Sequence, residues 1–513
     1  MPESAIPNRI AAWIGAAALA TALSWAACSG PRRPARRTLT VVQSSDILTL
    51  DPNEKFEVVN DTVAMNLFDP LLRFDQHMNL QPWLAVRWEN PDELTWRLHL
   101  RPGVRFHDGS PLSAQDVVFS LRRVMSRPSS EIYPFLAGVR EVRALSPDTV
   151  EITTVHPMAL LSRLSYVYIL PRRLLDGGNE AAFFRNPVGT GPYRFVRRQP
   201  GLVELRSFDD YWGGRPTIAA ATFRAAETAA ETWSLAEQPR PTIVLDAPRK
   251  DWEQKLRQGR LRLIARPGLT VSYLGVNVSA AGGNPLADVR VRQALRRTID
   301  LPRLIREGLD GHAFPASQYV PPDVVGYNPD LAAPAPDPAA SRRLLGEAGY
   351  PNGVDLSLDV EEGTSEQFES ELAREAAAGG FRLVPRAWDK AEFFDRIDTG
   401  RSALHLTGWI CSSGDSAELF ESSLHTRRAD SELGRDNGTG YSNPRLDAII
   451  EQISSTMDPA RRVSLEQRAM AVAMADLPYI PLLIAEDRYA MTPEIQWEPR
   501  ADGEIWLPAV GAR

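Results

Sequence analysis

Between residues 288 and 300, apolar side chains fall at Val291, Leu295 and Ile299, with arginines at four of the intervening positions. That i, i+4, i+8 spacing predicts a helix with one buried stripe and its Arg residues on the solvated side. A strand-like run, Tyr273-Leu274-Gly275-Val276-Asn277, precedes it. The β-branched run Thr38 to Val42 predicts a first strand. Alternation of Trp96, Leu98 and Leu100 predicts another, ending at Arg101-Pro102-Gly103. Ser113, with Asp116 three residues on, reads as a capping box opening a helix with Val117, Leu121, Val124 and Met125 on one face. Asp337-Pro338 and Asp458-Pro459 each set a cap before a proline at the first helical position; Gly349 can end the first of these helices and Pro478 the second. His107-Asp108-Gly109-Ser110 reads as a turn. Gly189-Thr190-Gly191-Pro192-Tyr193 reads as a tight turn whose glycines take backbone angles closed to other residues. Strands interleaved with helices along most of the chain indicate an α/β protein.

Composition narrows the function classes. At 513 residues the chain can build two or three lobes, each with its own core. A net charge of −7 argues against a nucleic-acid surface, and the arginines are spread rather than clustered. No His-Glu-x-x-His or Gly-x-Ser-x-Gly occurs, and the seven His lack ligand spacing. An enzyme is therefore not expected, nor a metal or other cofactor. The glycine-rich turn at 189–193 lacks the following Lys of a phosphate loop.

Only Cys28 and Cys411 are present. Arg9 precedes an uncharged run from Ile10 to Ala27, which reads as an export signal over residues 1–27. Ala26-Ala27-Cys28 resembles the end of a bacterial lipobox, which implies a lipid on Cys28 and a tether over residues 28–37. A cleaved soluble form and an uncleaved anchor remain as alternatives. Cys411 is then unpaired and reads as a small buried hydrophobe.

Four ordered blocks resemble the family 5 extracellular solute-binding proteins: Leu50-Asp51-Pro52, Gly189-Thr190-Gly191-Pro192-Tyr193, the helix Asp288 to Asp300, and Gly440-Tyr441-Ser442-Asn443-Pro444-Arg445-Leu446-Asp447. The resemblance implies a two-lobed clam-shell of the periplasmic-binding-protein type II class, with an extra subdomain inserted in the first lobe. It divides the chain into a first lobe (38–65, 187–277 and 486–513), the insert (66–186) and a second lobe (278–485), with hinges near Asn277 and Ala485. It also implies a monomer outside the cytoplasm that captures a peptide or peptide-like solute between the lobes for an ABC permease and ATPase. A receptor serving a membrane sensor is the alternative, and a hydrolase a more distant one.

Carried over residue by residue, the resemblance puts Asp46 and Ile47 on one wall of the cleft. The block Gly408 to Asp415 lies on the other, with Trp409 as a stacking face or a core residue. Peptide binders of the family place an Asp three residues after that Trp to meet the ligand's ammonium; here the position is Ser412. Losing one side of such a charge pair costs on the order of 2–5 kcal/mol. Either the ligand lacks a free amino terminus, or Asp415 or Asp46 supplies the charge. Lys390 stands about where oligopeptide binders carry a pocket Trp.

Overall fold

The computed structural model describes residues 38–279, 283–411, 413–429, 431 and 433–512. Cys28 and Ser412 lie outside them. The Leu39–Val42 run, buried throughout, forms the strand Thr38–Gln43, which pairs in parallel with Ala220–Ala225 on one side and Thr242–Val244 on the other. These belong to an eleven-stranded mixed sheet. Its order from one edge is Phe381–Trp388, Val354–Glu361, Leu404–Ile410, Arg262–Val276, Tyr479–Met491, Thr242–Val244, Thr38–Gln43, Ala220–Ala225, Leu202–Ser207 and Tyr193–Gln199, with Ala313–Pro315 alongside Tyr479–Met491.

Two long strands carry the sheet from one lobe to the other. Arg262–Val276 runs antiparallel to Tyr479–Met491, in one register from Arg262↔Met491 to Pro267↔Glu486 and in another from Val271↔Ile484. The break falls at residues 267–271, opposite Ala485. Gly268 sits in it because a Cβ there would meet the Asp487 carboxylate at 2.5 Å. The chain therefore changes lobe before Leu269, which already packs with the second lobe's helices. Asn277, the expected hinge, lies at the far end of this strand inside the second lobe, donating to the Gly400 carbonyl at 2.9 Å. Ala485, the other expected hinge, lies opposite the register break and pairs with Ala313.

Separate cores follow this division. One joins the first-lobe strands to the helix Val58–Leu67 and to Ile495, Ile505 and Val510 near the C-terminus. Another lies inside the insert, where the four-stranded sheet spanning Ala85 to Thr154 covers the helix Ala114–Met125. A third buries Val291, Leu295 and Ile299 against Leu356, Leu358 and Leu404. The helix Val289–Thr298 begins where Asp288 accepts from the Arg290 amide at 2.8 Å. One Arg departs from the expected solvated face. Arg292 turns inward and caps the helix Pro459–Asp476 by donating to the Asp476 carbonyl, while also meeting Leu286 O and Ala287 O.

The recognised blocks act as joints. Asp51 is buried and ion-paired with Arg123 of the insert's helix, which also donates to Glu180 at 3.1 Å. Neither Gly189 nor Gly191 has a positive φ, contrary to the expectation for that turn. Both are glycine because the Leu67 backbone lies against them: a Cβ would fall 2.0 Å from Leu67 O at Gly189 and 2.5 Å from Leu67 C at Gly191. His107 closes the same joint. Its Nδ1 accepts from the Gly189 amide at 3.1 Å, so Nε2 carries the proton donated to Gly191 O at 3.0 Å. In the last block Asn443 caps the helix Pro444–Ser455, and Tyr441 and Asn443 both donate to the Asp476 carboxylate.

Burial holds His107 and His405 down at about 4. Unfolded histidine titrates near 6.5, so between pH 6.5 and 4 the unfolded chain binds more protons than the folded one. The stability these groups contribute is complete above about pH 6.5 and is lost as pH falls towards 4, on the order of 3 kcal/mol for each. Urea unfolding across this range is expected to show a steep loss. Replacing both His with Gln is expected to flatten it, and an unchanged slope would contradict the assignment.

Candidate ligand-binding site

A cavity of about 630 Å³ opens between the lobes. Its walls come from segments far apart in sequence. The loop and helix around Phe56 to Met65, the strand Leu72–Phe74 and the segment Ser165 to Tyr168 form one side, and the C-terminal turn Arg500 to Glu504 adds to it. Leu269, Thr270 and Ile410 close it from the second lobe. Size and lining suit a small organic solute.

Aromatic rings furnish one wall. Phe135 stacks on Tyr166 at 4.5 Å between centroids, Phe56 meets both edge-on, and Phe74 packs against Tyr166 at 6.0 Å. Charge furnishes another. Arg73 is buried with its guanidinium 4.4 Å from the Trp506 ring and 5.0 Å from Trp83, faces that attract a cation. Burial and the neighbouring Arg500 lower it to about 10. Arg500 pairs with Asp502 and donates to Phe74 O at 3.1 Å. Burial, and then the neighbouring Glu504 and Asp502, push the Asp61 carboxyl well above its ordinary range; burial and Asp502 push Glu504 up likewise. Asp487 is raised to about 6, again chiefly by burial.

None of the expected site residues that the structure describes lines this cavity. Ile47 is buried in the first lobe's core. Asp46 accepts from the Ile47 amide at 2.8 Å and the Gly201 amide at 2.9 Å, so its carboxylate is committed to the loop. Asp415 is buried, ion-paired with Arg462, and caps the Ala417 amide at 2.9 Å. Lys390 is the exposed first residue of the helix Lys390–Asp398. Trp409 pairs with Val271 and packs on the second lobe's helical core. Its neighbour Ile410, on the opposite face of the strand, reaches the cavity, as alternation along a strand requires. Cys411 is a free, fully buried thiol. Among the described residues, no cluster of His, Cys, Asp or Glu has metal-holding geometry, and no helix is long and apolar enough to cross a membrane.

The model of the bacterial extracellular solute-binding proteins, family 5 (middle), matches residues 79–431. The chain belongs to that family. Its members are solute-binding proteins rather than enzymes. The glutathione-binding protein GsiB of Pectobacterium atrosepticum is 29% identical over 463 residues, covering 87% of this chain and 88% of its own. The GsiB of Escherichia coli K12 is 27% identical over 466 residues, covering 88% and 89%. Among solved structures, HbpA2 from Haemophilus parasuis superposes with a TM-score of 0.83 at 23% identity, covering 93% of this chain and all of that one. The periplasmic murein tripeptide-binding protein MppA, in its unliganded open form, gives 0.81 at 20% identity, covering 93% and 98%. The fold is the two-lobed type II clam-shell of periplasmic binding proteins.

The cavity residues that motif reading missed left one faint signal each. Asp61 is a polar residue on the buried face of a short helix. Arg500, Asp502 and Glu504 are three charges in five residues directly before Trp506.

Proposed function

We propose that the protein is the extracytoplasmic binding component of an ABC importer, taking a short peptide or peptide-like solute into the cavity between its lobes and delivering it to a membrane permease with its ATPase. The cavity carries this reading: about 630 Å³, aromatic on one wall, with Asp61 and Glu504 available to an ammonium and Arg73 to a carboxylate. Names among the relatives and structural neighbours point the same way, being those of glutathione-, dipeptide- and tripeptide-binding proteins. Asp61 and Glu504, rather than Asp46 or Asp415, take the role of the carboxylate that Ser412 lacks. The lobes close by bending at residues 267–271 and Ala485, where the paired strands lose register. Saturation with a pool of unmodified di- to tetrapeptides is expected to reduce the radius of gyration in X-ray scattering; identical profiles would contradict closure over a peptide.

Lipid attachment at Cys28 places the domain on a membrane surface, since multiple acyl chains anchor stably where one does not. Wild type is expected in the membrane fraction and Cys28→Ser in the soluble one. Wild type recovered wholly soluble would contradict the anchor.

A further inference from the structure

The cavity's charges do not cancel. Arg500 is matched by Asp502, and Arg488 by Glu486 at 3.6 Å and Asp246 at 3.9 Å. Asp487 feels Arg266, itself ion-paired with Asp323, and Arg488, so it is matched only in part. Glu57 is exposed to solvent, which screens it. Three groups remain. Asp61 is only 6% exposed, and among the described residues its carboxylate accepts no hydrogen bond and forms no ion pair. Among the described residues the half-buried Glu504 carboxylate likewise accepts no hydrogen bond and forms no ion pair, though it feels Arg500 and Arg73. Among the described residues Arg73, 7% exposed, makes no hydrogen bond through its guanidinium and its Nη2 is buried without an acceptor; it feels Asp69, whose carboxylate accepts from Trp83, Tyr211 and Trp212. Two carboxyl groups without a cationic partner therefore stand beside one guanidinium in the cavity wall, and ionising either carboxyl there without a counterion is costly.

We infer that the preferred solute is a peptide-like compound of net positive charge, whose cationic groups meet Asp61 and Glu504 and whose carboxylate meets Arg73. The inference rests on reading this cavity as the solute site. An ordinary zwitterion would leave one carboxylate unmatched; a compound with two cationic groups and one carboxylate matches all three. Phe56, Phe74 and Tyr166 favour the same sign, because their ring faces attract ammonium and guanidinium groups. Glutathione, with one ammonium and two carboxylates, has the opposite imbalance. Burial holds both carboxyls towards the protonated form, so an arriving cation displaces a proton.

Titration calorimetry with Ala-Lys-Ala, Ala-Ala-Ala, Ala-Glu-Ala and glutathione tests this. Ala-Lys-Ala is expected to bind at least about tenfold more tightly than Ala-Ala-Ala, with Ala-Glu-Ala and glutathione weaker still. Proton release should make the Ala-Lys-Ala enthalpy depend on the buffer's ionisation heat. Asp61→Asn and Glu504→Gln are each expected to weaken every tripeptide, Ala-Lys-Ala most, and so to reduce the Lys-over-Ala preference to less than about threefold; should one variant not fold, the other carries the test. Equal affinity for the three tripeptides, or tightest binding of glutathione, would overturn the cationic preference and leave the peptide reading standing. Absence of binding by all four would overturn both.

Discussion

Asp51→Ala is expected to lower the free energy of unfolding by about 3–5 kcal/mol, the cost of leaving a buried ion without its partner. Asp51 and Arg123 are 6% and 4% exposed at the side chain, so water cannot take the place of the lost carboxylate. Asp51 also accepts from the Asn53 amide at 3.1 Å, and the Asn53 side chain holds both the N–H and the C=O of Tyr168. The Leu50-Asp51-Pro52 block thus fastens the first lobe to the insert and positions one wall of the cavity. Glu180, lowered to about 2 chiefly by its bond to Arg123, remains as a partial counterion after the substitution. Asp51→Asn, which keeps an acceptor, should cost less than the alanine. Chemical denaturation measures both, and a loss under about 1 kcal/mol for Asp51→Ala would show that the pair is not an anchor.

Gly189→Ala is expected to cost about 3 kcal/mol, at the upper end for overpacking, because the obstacle is backbone. Its new Cβ would overlap Leu67 O, which accepts the Gly191 amide at 3.0 Å, and would press on Phe68 Cδ1 at 2.7 Å. Relief requires the end of the helix Val58–Leu67, which carries Asp61, to move. Peptide affinity should fall together with stability. Gly346→Ala is the control: it lies within the helix Pro338–Glu347 with nothing within 4 Å of a Cβ, and should gain roughly 0.5–1 kcal/mol. A thermal-shift comparison in which both variants move alike would refute the packing argument.

Local structure was legible wherever one short segment decides it. The caps Asp288, Asp337 and Asp458 and the stripe Val291, Leu295 and Ile299 all lie in elements read from spacing alone. Fold class was legible from four motifs standing in one order along the chain. The reasons behind those motifs were not. Gly189 and Gly191 looked like turn glycines, but their constraint is the Leu67 backbone, more than a hundred residues away in sequence. The inward course of Arg292 depends on a helix end that arrives from Asp476. The register break that we propose as the hinge leaves no mark in either strand's own pattern, so the sequence pointed to Asn277 instead. The site was least legible of all. Its walls come from residues 56–78, 165–168, 269–270 and 487–504, and no periodicity links them. Strand alternation could have transferred attention from Trp409 to Ile410, since the two must face opposite ways.

The central claim is that a peptide-like solute occupies the cavity between the lobes. Native mass spectrometry of the protein incubated with a pool of unmodified di- to tetrapeptides tests it most directly, with Ser44→Trp/Ile410→Trp, which narrows the cavity from both lobes, as the comparison. The account predicts peptide adducts on the wild type and their loss from the double variant, with both proteins folded. Adducts of equal abundance on the two proteins would place the ligand elsewhere and contradict it.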